Sequence, residues 1–352
     1  MLTSFTIKNY RGFKELSMDP LARVNLLVGA NNSGKSSVLE ALELWATQGH
    51  TRTLHSALSG IMRRRGEYRR VAQNGETEGT VRHLFHNHRF AEAIILLGLS
   101  GKRPITITVT WLERAPNLVE HSGPVLHSFT NGDVAHSDKS VLEVPAIDNE
   151  RISLSWPTTS RDAELFPLRF VSTNTLLGSE CADLLGSVAL TEDEDRVIEA
   201  LQTIEPTIER IGLAGADYRA DRGSIVVRLR GQKQRVPIGS MGDGMWRMLN
   251  LALVLVETRG GFLLVDEIDT GLHYSVMNDM WKLVCKTAQE LDVQVFATTH
   301  SRDCYESLAE VVAGEQTGGS TVAIHRIERD RDHSVVIDEE QLAIIAERAI
   351  EV

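Results

Sequence analysis

Apolar residues follow two different periods near the start of the chain, and the change between them predicts a strand followed by a helix. Leu26, Leu27 and Val28 form a short, uniformly apolar run, which is typical of a buried strand. After a glycine-containing stretch, apolar residues recur at helical spacing from Val38 onward. We therefore expect a strand, a loop and a helix that ends near Gln48.

The flanking segments predict a mixture of strands and helices. SFTIKNY and FKELSM predict two strands joined at Arg11-Gly12, and residues 51–100 predict a mostly helical, basic region. The runs PITITVTWL, SVLEVPAI, ISLSW and LRFVST predict an antiparallel sheet over residues 104–173. Thr191 and Glu194 have capping-box spacing, so residues 191–211 predict one helix that Pro206 breaks or kinks.

Strands and helices alternate regularly over the last third of the chain. The predicted strands are SIVVRLR, GFLLVDE, VQVFATT, TVAIHRIE and SVVID. The predicted helices begin at Asp243, run through Met280 to Glu290, lie near Asp303, and end the chain with EEQLAIIAERAI. This alternation favours an α/β fold with a mostly parallel sheet flanked by helices. Sustained heptads are absent, so no long coiled-coil arm is expected.

The composition is that of a cytoplasmic enzyme. The chain has 352 residues, a formal net charge of -11 and three cysteines. This acidity argues against a surface coated with cations for nucleic acid. Cys181, Cys285 and Cys304 lack metal-site spacing, so we expect reduced thiols. No signal-peptide start and no membrane-spanning apolar stretch is found in the sequence.

Two local clusters depart from this acidic average. MRRRGEYRR groups five arginines around one tyrosine, namely Arg63, Arg64, Arg65, Arg69 and Arg70. The cluster either holds nucleic-acid phosphates or forms a solvated helix face or partner-docking patch. HLFHNHRF groups three histidines, which without a nearby cysteine are more consistent with ordinary imidazoles than with zinc ligands.

The most specific motif lies in the loop before residue 38. Gly29-x-x-x-x-Gly34-Lys35-Ser36 matches the phosphate-loop pattern at every fixed position. In such a loop Lys35 would reach the β- and γ-phosphates of ATP, and Ser36 would bind Mg²⁺. The alternative is a chance match in a turn, which the flanking strand and helix argue against. The predicted nucleotide-binding residues of this loop are Gly29, Asn31, Asn32, Ser33, Gly34, Lys35, Ser36 and Ser37.

Two later strands end in residues that would complete such a site. FLLVDEID ends in Asp266, a candidate Mg²⁺ ligand, and Glu267, a candidate general base for the attacking water. FATTHS places His300 at the carboxyl end of another strand, at the edge of a parallel sheet where ligands bind. We expect His300 to contact the γ-phosphate or to position the water.

The order of these motifs is similar to that of a known ATPase group. The phosphate loop, SMGDG, LLVDE, IDTGLH and TTHS resemble, in that order, the ABC-type ATPases of the structural-maintenance (SMC), RecF and OLD (overcoming lysogenisation defect) group. FTIKNYRGF resembles the opening strand of that group. IDTGLHYSV through QVFATTHS is most similar to OLD-like ATPases, including those of bacterial anti-phage systems. The resemblance covers the first 40 residues and about 235 to the end.

This resemblance implies a fold and a domain organisation. It implies a P-loop NTPase of the ABC type, with an antiparallel β lobe and a helical insert beside the parallel sheet. Residues 1–352 would form a single ATPase domain whose nucleotide core lies in 1–50 and 223–352. The basic helical and β-rich lobe would span 51–173, and the helical insert 174–222.

The resemblance also implies that two copies share their ATP sites. In ABC-type ATPases the signature loop, here SMGDG, closes over the ATP that a second subunit holds. Ser240 and Gly242 would contact the partner's γ-phosphate, and the helix from Asp243 would add its positive end. These three residues are therefore predicted nucleotide contacts. The alternative is a glycine-containing turn that caps a core helix.

Some positions depart from the pattern of the group. His273 stands where many ABC proteins carry a second aspartate, so communication between the sites is expected to differ, with Asp269 as a candidate participant. VSTN at 171–174 is a weak candidate for the glutamine loop. Arg11 either reaches the nucleotide, as the matching arginine of the group does, or is a structural residue of a hairpin. About 50 residues follow His300, so we expect no Toprim nuclease domain on this chain.

Three functions compete for this sequence. The first is a slow, Mg²⁺-dependent ATPase that dimerises on ATP and controls a separate effector protein, for which a nuclease is one candidate, in anti-phage defence. The second is a RecF-like repair ATPase that binds DNA directly. The third is a scaffold that holds ATP with negligible turnover, which the intact set of Lys35, Asp266 and Glu267 argues against. The expected partners are a second copy, or more copies, of the chain and the effector, with nucleic acid under the second hypothesis and no membrane.

Overall fold

The structure is a computed structural model, and it describes residues 1–48, 51–70, 77–79, 81–88, 94–100, 103–109, 126–127, 141–142, 166–172, 178–214, 225–314 and 321–348. The chain folds into two units, and each includes distant segments of sequence. The first contains residues 1–21, 29–166 and 327–336. The second contains residues 22–28, 167–326 and 337–352.

Helices and strands alternate along the described residues. The α-helices are α1 (Lys35–Ala46), α2 (Thr51–Arg64), α3 (Gly178–Val188), α4 (Glu192–Gln202), α5 (Asp243–Glu257), α6 (Met277–Glu290), α7 (Arg302–Gly314) and α8 (Glu339–Arg348). The strands are β1 (Leu2–Tyr10), β2 (Phe13–Met18), β3 (Val24–Val28), β4 (Tyr68–Arg70), β5 (Thr77–Gly79), β6 (Ile94–Ser100), β7 (Arg103–Val109), β8 (Leu126–His127), β9 (Val141–Leu142), β10 (Leu168–Val171), β11 (Ile208–Leu213), β12 (Ile225–Leu229), β13 (Arg235–Pro237), β14 (Phe262–Val265), β15 (Gln294–Thr298), β16 (Val322–Arg326) and β17 (Val335–Ile337).

The second unit is built on a parallel sheet. Its strands lie side by side in the order β10-β14-β15-β3-β16, and every neighbouring pair is parallel. All residues of β3, β14 and β15 are buried, as expected for strands covered on both faces. The carboxyl ends of β14 and β15 therefore meet at one edge of the sheet. The predicted α/β fold with a mostly parallel sheet is confirmed.

Helix α5 is the most deeply buried helix of this core. Every residue from Met245 to Leu255 is buried, so the helix has no solvated face along this stretch. Its side chains pack with α3, α4 and α6 in the same hydrophobic core as the sheet. Two polar residues of the run, Arg247 and Asn250, are consequently buried as well.

The first unit contains an antiparallel sheet and the helix that follows the phosphate-loop motif. The sheet order is β2-β1-β6-β7. Helix α1 packs against β6 through Trp45, which is fully buried, and a Cβ atom on Gly98 would lie 2.5 Å from its ring. Phe5 of β1 meets the same indole edge to face, with ring centroids 6.2 Å apart. Glycine at position 98 therefore allows helix and sheet to approach closely.

Some sequence-based element predictions are wrong. Residues 94–100 form strand β6 rather than a helix, because Ile94 and Leu96 alternate into the core beside β1. LRFV forms β10, which pairs in parallel with β14 and so does not belong to an antiparallel sheet. The helix that Thr191 caps ends at Gln202, and Ile208–Leu213 form β11, because Pro206 prevents the helix from continuing.

The remainder of the predicted β region is described only in part. PITITVTWL yields β7, and SVLEVPAI yields the two residues of β9. ISLSW lies outside the described residues. No helix in the described ranges combines the length and apolar character that crossing a bilayer requires. The three cysteines, all within the described residues, form no disulfide; Cys181 and Cys304 are buried and Cys285 is half-buried.

Candidate functional site

The phosphate-loop motif has a backbone that only glycine fits at two positions. Gly29 and Gly34 have φ angles of +140° and +106°, in the region that side chains disfavour. A Cβ atom on Gly29 would lie 2.5 Å from the carbonyl oxygen of Ile327, and one on Gly34 would lie 2.4 Å from Cζ of Phe13. The two glycines thus give the loop a backbone conformation in which successive backbone N–H groups can face inward, as an anion-binding loop requires.

Lys35 and Ser33 supply polar atoms to this loop. Lys35 Nζ donates to the carbonyl oxygens of Gly29 and Ala30, at 2.6 and 3.0 Å. Ser33 Oγ is buried and has no hydrogen-bond partner among the described residues. Helix α1 begins at Lys35 without a side-chain cap, so its first N–H groups face the loop. A buried orphan hydroxyl, an ammonium and a helix N-terminus together suit an anionic ligand.

The same helix carries a buried carboxylate that three side chains contact. Glu40 is 2% exposed, and Nε of Arg65 donates to it at 2.7 Å. Arg11 Nε lies 2.7 Å from Glu40 Oε2, an ion-pair distance without hydrogen-bond geometry, and its Nη1 donates to Glu67 at 2.9 Å. Tyr10 also donates to Glu40, at 3.4 Å. Arg11 is thus anchored by carboxylates at the tip of the β1–β2 hairpin, which favours the structural alternative for this residue.

The basic cluster of residues 63–70 is largely neutralised where it is described. Arg64 pairs with Glu43 of α1, and Arg65 pairs with Glu40 and lies 3.4 Å from Ser37 Oγ. Burial raises the pKa of Glu43 to about 7, although Arg64 opposes the shift. Arg63 is exposed, and the side chains of Arg69 and Arg70 lie outside the described part. Arg64 and Arg65 therefore brace the phosphate-loop helix.

The three histidines of HLFHNHRF do not converge on a metal site. Nδ1 of His83 and Nδ1 of His88 are 3.1 Å apart, and Nδ1 of His86 lies 3.0 Å from the carbonyl oxygen of Arg11. No group of three or more metal-ligating side chains is found in the part of the chain that the structure describes. These histidines support the turn beside the hairpin tip.

In the second unit, Asp266 and Glu267 follow β14 and are linked to the end of β15. Oγ1 of Thr298 donates to Asp266 Oδ1 at 2.7 Å, and the N–H of Glu267 donates to the same hydroxyl oxygen at 2.8 Å. Thr298 therefore orients both acidic residues. The carboxylate of Asp266 is half-buried at the edge of the sheet where ligands of parallel sheets bind.

Glu267 and His300 are brought together at this edge. His300 Nδ1 lies 3.5 Å from Glu267 Oε1, and the two side chains are 53% and 40% exposed, respectively. Glu267 has a φ of +49°, a left-handed conformation that is strained for a residue with a side chain. Such strain is concentrated at functional sites, where neighbouring groups hold it in place.

The segment after Glu267 turns through two further polar contacts. Asp269 accepts a hydrogen bond of 2.7 Å from Thr299 Oγ1. His273 caps a short 3₁₀ turn, accepting from the N–H of Ser275, and its ring lies 4.2 Å from that of Tyr274. Tyr274 is 64% exposed. The segment after Glu267 therefore presents an exposed aromatic pair.

The SMGDG loop is exposed and leads directly into α5. Ser240, Gly242 and Asp243 are all exposed, and Ser240 Oγ donates to the carbonyl oxygen of Pro237 at 2.7 Å. Gly242 has a φ of +98°, and a Cβ atom there would meet nothing within 4 Å. The positive φ favours glycine at position 242, whereas a side chain there would meet no steric obstacle. The loop can therefore contact a group outside its own unit.

The predicted site residues are divided between the units. Arg11 and the phosphate-loop residues 29–37 lie in the first unit, whereas the SMGDG loop, Asp266, Glu267 and His300 lie in the second. Within the second unit, Asp266, Glu267 and His300 converge through Thr298. Of VSTN, only residues 171 and 172 are described, so the glutamine-loop prediction lies outside the described residues.

A cavity lies at the other end of the parallel strands. It has a volume of about 390 Å³ and is lined by residues such as Arg23, Val24 and Cys285. Arg23 and Val24 stand at the amino end of β3, whereas the acidic residues follow the carboxyl end of β14. Because β3 and β14 are parallel, this cavity is remote from the candidate site.

Two residues that contact the acidic site were missed from the sequence. Thr298 precedes His300 in FATTHS, and a threonine at the carboxyl end of a buried strand was the available signal. Arg247 is 1% exposed, and its Nη2 donates to the carbonyl oxygen of Glu267 at 3.2 Å. A single cation inside the apolar run of α5 was the signal for Arg247.

Two family models match the chain. Residues 130–303 match a model described as "AAA domain, putative AbiEii toxin, Type IV TA system", and residues 1–97 match one described as "AAA ATPase domain". The range 1–97 contains the phosphate loop. The range 130–303 contains the SMGDG loop, Asp266, Glu267 and His300.

Curated relatives and solved structures also resemble the chain. An "ATP/GTP phosphatase" of Helicobacter pylori is 20% identical over 346 residues, which cover 89% of this chain and 88% of that protein. The RecF DNA replication and repair protein of Vibrio atlanticus is 42% identical over 59 residues, 17% of this chain and 16% of that one. The SMC head domain from Thermotoga maritima aligns with a TM-score of 0.46 and 12% identity, over 96% of this chain and 98% of that chain. The chain is thus similar to AAA-type ATPase domains over residues 1–97 and 130–303.

Proposed function

We propose that this chain is an ATP-hydrolysing switch that dimerises through shared ATP sites and controls a separate effector. The observation that carries the proposal is the pair formed by Glu267 and His300 at the edge of the parallel sheet, 3.5 Å apart and open to solvent. A carboxylate beside an imidazole can accept a proton from an attacking water and hold that water in line. The strained backbone of Glu267 fits a catalytic role better than a structural one.

The phosphate loop would bind the triphosphate of the substrate. Gly29 and Gly34 leave the backbone N–H groups free to turn toward phosphate oxygens, and Lys35 would exchange its contacts with loop carbonyls for contacts with the phosphates. Mg²⁺, when bound, neutralises charge that develops on the phosphates. Ser36 and Asp266 are the residues that would hold it. Thr298 keeps Asp266 oriented for this purpose.

The exposed SMGDG loop supports the proposed dimer. Ser240 and Gly242 precede α5 and Asp243 begins it, and all three are exposed, so the positive end of the helix lies at the surface. The phosphates of a nucleotide bound to a second copy would interact favourably with the N-terminus of α5 and so join the two chains. Hydrolysis and release of the γ-phosphate would then remove the group that joins the two chains. The ATP-bound dimer and the separated chains would be the two states of a switch.

Two resemblances bear on the effector. One matched family model is described as a toxin of a type IV toxin–antitoxin system. This description supports a role in which the ATP state of the chain governs a harmful activity, as anti-phage defence requires. The resemblance of IDTGLHYSV and TTHS to OLD-like ATPases supports the same role.

A second candidate function is a RecF-like ATPase that binds DNA directly. The 42% identity to RecF over 59 residues favours it. Against it, two of the three exposed arginines at 63–65 are neutralised, because Arg64 pairs with Glu43 and Arg65 pairs with Glu40. Salt-dependent binding of duplex DNA that Arg63→Glu abolishes would favour this second function.

The test of the proposal compares hydrolysis by two variants. Glu267→Gln removes the base while keeping the shape, so turnover of ATP with Mg²⁺ should fall by about 10²- to 10⁴-fold with ATP affinity retained. Glu192→Gln is the matched control, because Glu192 is 93% exposed on α4. Wild-type turnover in Glu267→Gln would contradict the assignment of the base, and no turnover by the wild-type protein would contradict the ATPase.

A further inference from the structure

Arg247 is a buried cation that the proposed chemistry does not use. It is the fifth residue of α5, in a run where every neighbour is buried, and 1% of it is exposed. Its Nη2 donates to the carbonyl oxygen of Glu267, whereas Nε and Nη1 are buried without a hydrogen-bond partner in the described ranges. A guanidinium is costly to bury in this way, so its position calls for a specific role.

The atom that Arg247 contacts belongs to the strained residue of the candidate site. Three hydrogen bonds hold the backbone of Glu267. Its N–H donates to Thr298 Oγ1 at 2.8 Å, and its carbonyl oxygen accepts from the N–H of Thr270 at 3.0 Å and from Arg247 at 3.2 Å. Of these partners, Arg247 is the one that comes from α5. It links the helix that the SMGDG loop begins to the peptide of the catalytic candidate.

A second acidic residue lies within the electrostatic reach of Arg247. Burial lowers the pKa of the guanidinium, and the charge of Asp269 opposes that shift. Asp269 is itself oriented by Thr299, one residue before His300. Arg247 therefore stands between the start of α5 and the segment 267–269, with its Nε and Nη1 atoms still unused as donors.

We propose that Arg247 is a positioning residue that couples the SMGDG loop to Glu267. A shift of the exposed end of α5, when a second copy's nucleotide contacts Ser240 and Gly242, would move Arg247 and with it the Glu267 carbonyl. The carboxylate would then be aligned only when the partner site is closed. This inference rests on the proposed role of Glu267 as the base.

The main test is a double-mutant cycle. Arg247→Met fills the same volume without a charge and is therefore expected to fold. It should lower kcat at least about tenfold with ATP affinity within about twofold of wild type, and Arg247→Lys, which keeps a cation and a donor, should retain more activity than Arg247→Met. If Arg247 acts through Glu267, Arg247→Met should cause no further loss in a Glu267→Gln protein. Multiplicative losses, or a kcat of at least half the wild-type value, would overturn the proposal.

A measurement without catalysis separates this inference from the proposed function. Hydrogen exchange of the amides of residues 267–270 should be at least about tenfold faster in Arg247→Met, because one bond that holds the strained peptide is lost. Arg259→Met, which removes a half-exposed arginine just after α5, should leave these amides unchanged. Unchanged exchange in Arg247→Met overturns the coupling, whereas wild-type turnover in Glu267→Gln overturns only the assignment of the base.

Discussion

His300 Nδ1 lies 3.5 Å from Glu267 Oε1 at the carboxyl edge of the parallel sheet. The imidazole is placed to orient the carboxylate and the water, so His300→Gln should lower ATP turnover by about 10²-fold with less effect on ATP affinity. His333→Gln is the matched control, since His333 is a 61% exposed histidine that also pairs with a carboxylate, that of Asp332. Steady-state hydrolysis measures both. Equal turnover in the His300 variant and its control would show that His300 takes no part.

Lys35 is expected to govern nucleotide affinity. Its ammonium contacts two carbonyl oxygens of the phosphate loop, so Lys35→Ala should weaken ATP binding by about 10- to 100-fold, which is the typical loss of a charge-assisted contact. Calorimetric titration with ATP and Mg²⁺ measures the change. Lys286→Ala, on the solvent-exposed side of α6, should bind as the wild type does. An unchanged dissociation constant for Lys35→Ala would contradict the phosphate-loop assignment.

Local patterns predicted where the buried strands end better than they predicted which strands pair. The ends of β14 and β15 could be identified from apolar runs followed by polar residues, because short buried strands end abruptly at the sheet edge. The placement of LRFV in the parallel sheet could not be identified in this way, because strand pairing depends on contacts between residues far apart in sequence. Arg247 was hidden for the same reason: its partner Glu267 is 20 residues away.

The arginine cluster shows a similar limit. Composition indicated a cationic patch, yet Arg64 and Arg65 meet Glu43 and Glu40, which precede them by 21 and 25 residues. A run of arginines in one segment carries no information about a carboxylate on another helix. An ion pair of this kind becomes visible only when α1 and α2 are placed side by side.

Arg65 is consequently predicted to support the phosphate-loop helix. Arg65→Glu places a carboxylate against Glu40, which is 2% exposed, and should lower the free energy of unfolding by about 2 kcal/mol. This is below the roughly 3–5 kcal/mol of a fully buried pair, because Arg65 is 37% exposed. Thermal unfolding measures it, with exposed Arg63→Glu as the control. ATP affinity should fall in Arg65→Glu alone, and identical behaviour of the two variants would contradict the bracing role.

His325 gives the chain a predictable dependence of stability on pH. It is fully buried in β16, with Nε2 3.3 Å from Asn25 Oδ1, and burial lowers its pKa to about 4. The unfolded chain binds a proton near pH 6.5, so between pH 6.5 and 4 the unfolded state holds more protons. The stabilisation is therefore complete above pH 6.5 and is lost as the pH falls toward 4.

Denaturant unfolding at two pH values tests this dependence. From pH 7 to pH 5 the wild type should lose about 2 kcal/mol more unfolding free energy than His325→Gln, which cannot titrate. Because the comparison concerns the change with pH, any constant cost of the substitution cancels. Equal pH dependence in the two proteins would mean that His325 is protonated as readily in the fold as in the unfolded chain.

The proposed two-copy mechanism predicts that a large side chain at Ser240 blocks ATP-dependent dimerisation. Ser240→Arg places a long cation where the exposed loop would meet the partner's nucleotide, while the phosphate loop of each copy stays intact. Ser187→Arg is a matched control: Ser187 is also exposed, and its Oγ donates to a carbonyl oxygen three residues earlier at the same 2.7 Å as that of Ser240. Both variants should bind ATP with near-normal affinity by calorimetry.

The most direct measurement is the sedimentation of these variants in the Glu267→Gln background, with ATP and Mg²⁺ present to hold the bound state. Glu267→Gln alone and Glu267→Gln with Ser187→Arg should both form an ATP-dependent dimer. Glu267→Gln with Ser240→Arg should bind ATP yet keep the assembly state that it has without nucleotide. If this last protein dimerises on ATP as readily as the other two, the SMGDG loop is only a helix cap and the two-copy mechanism is wrong.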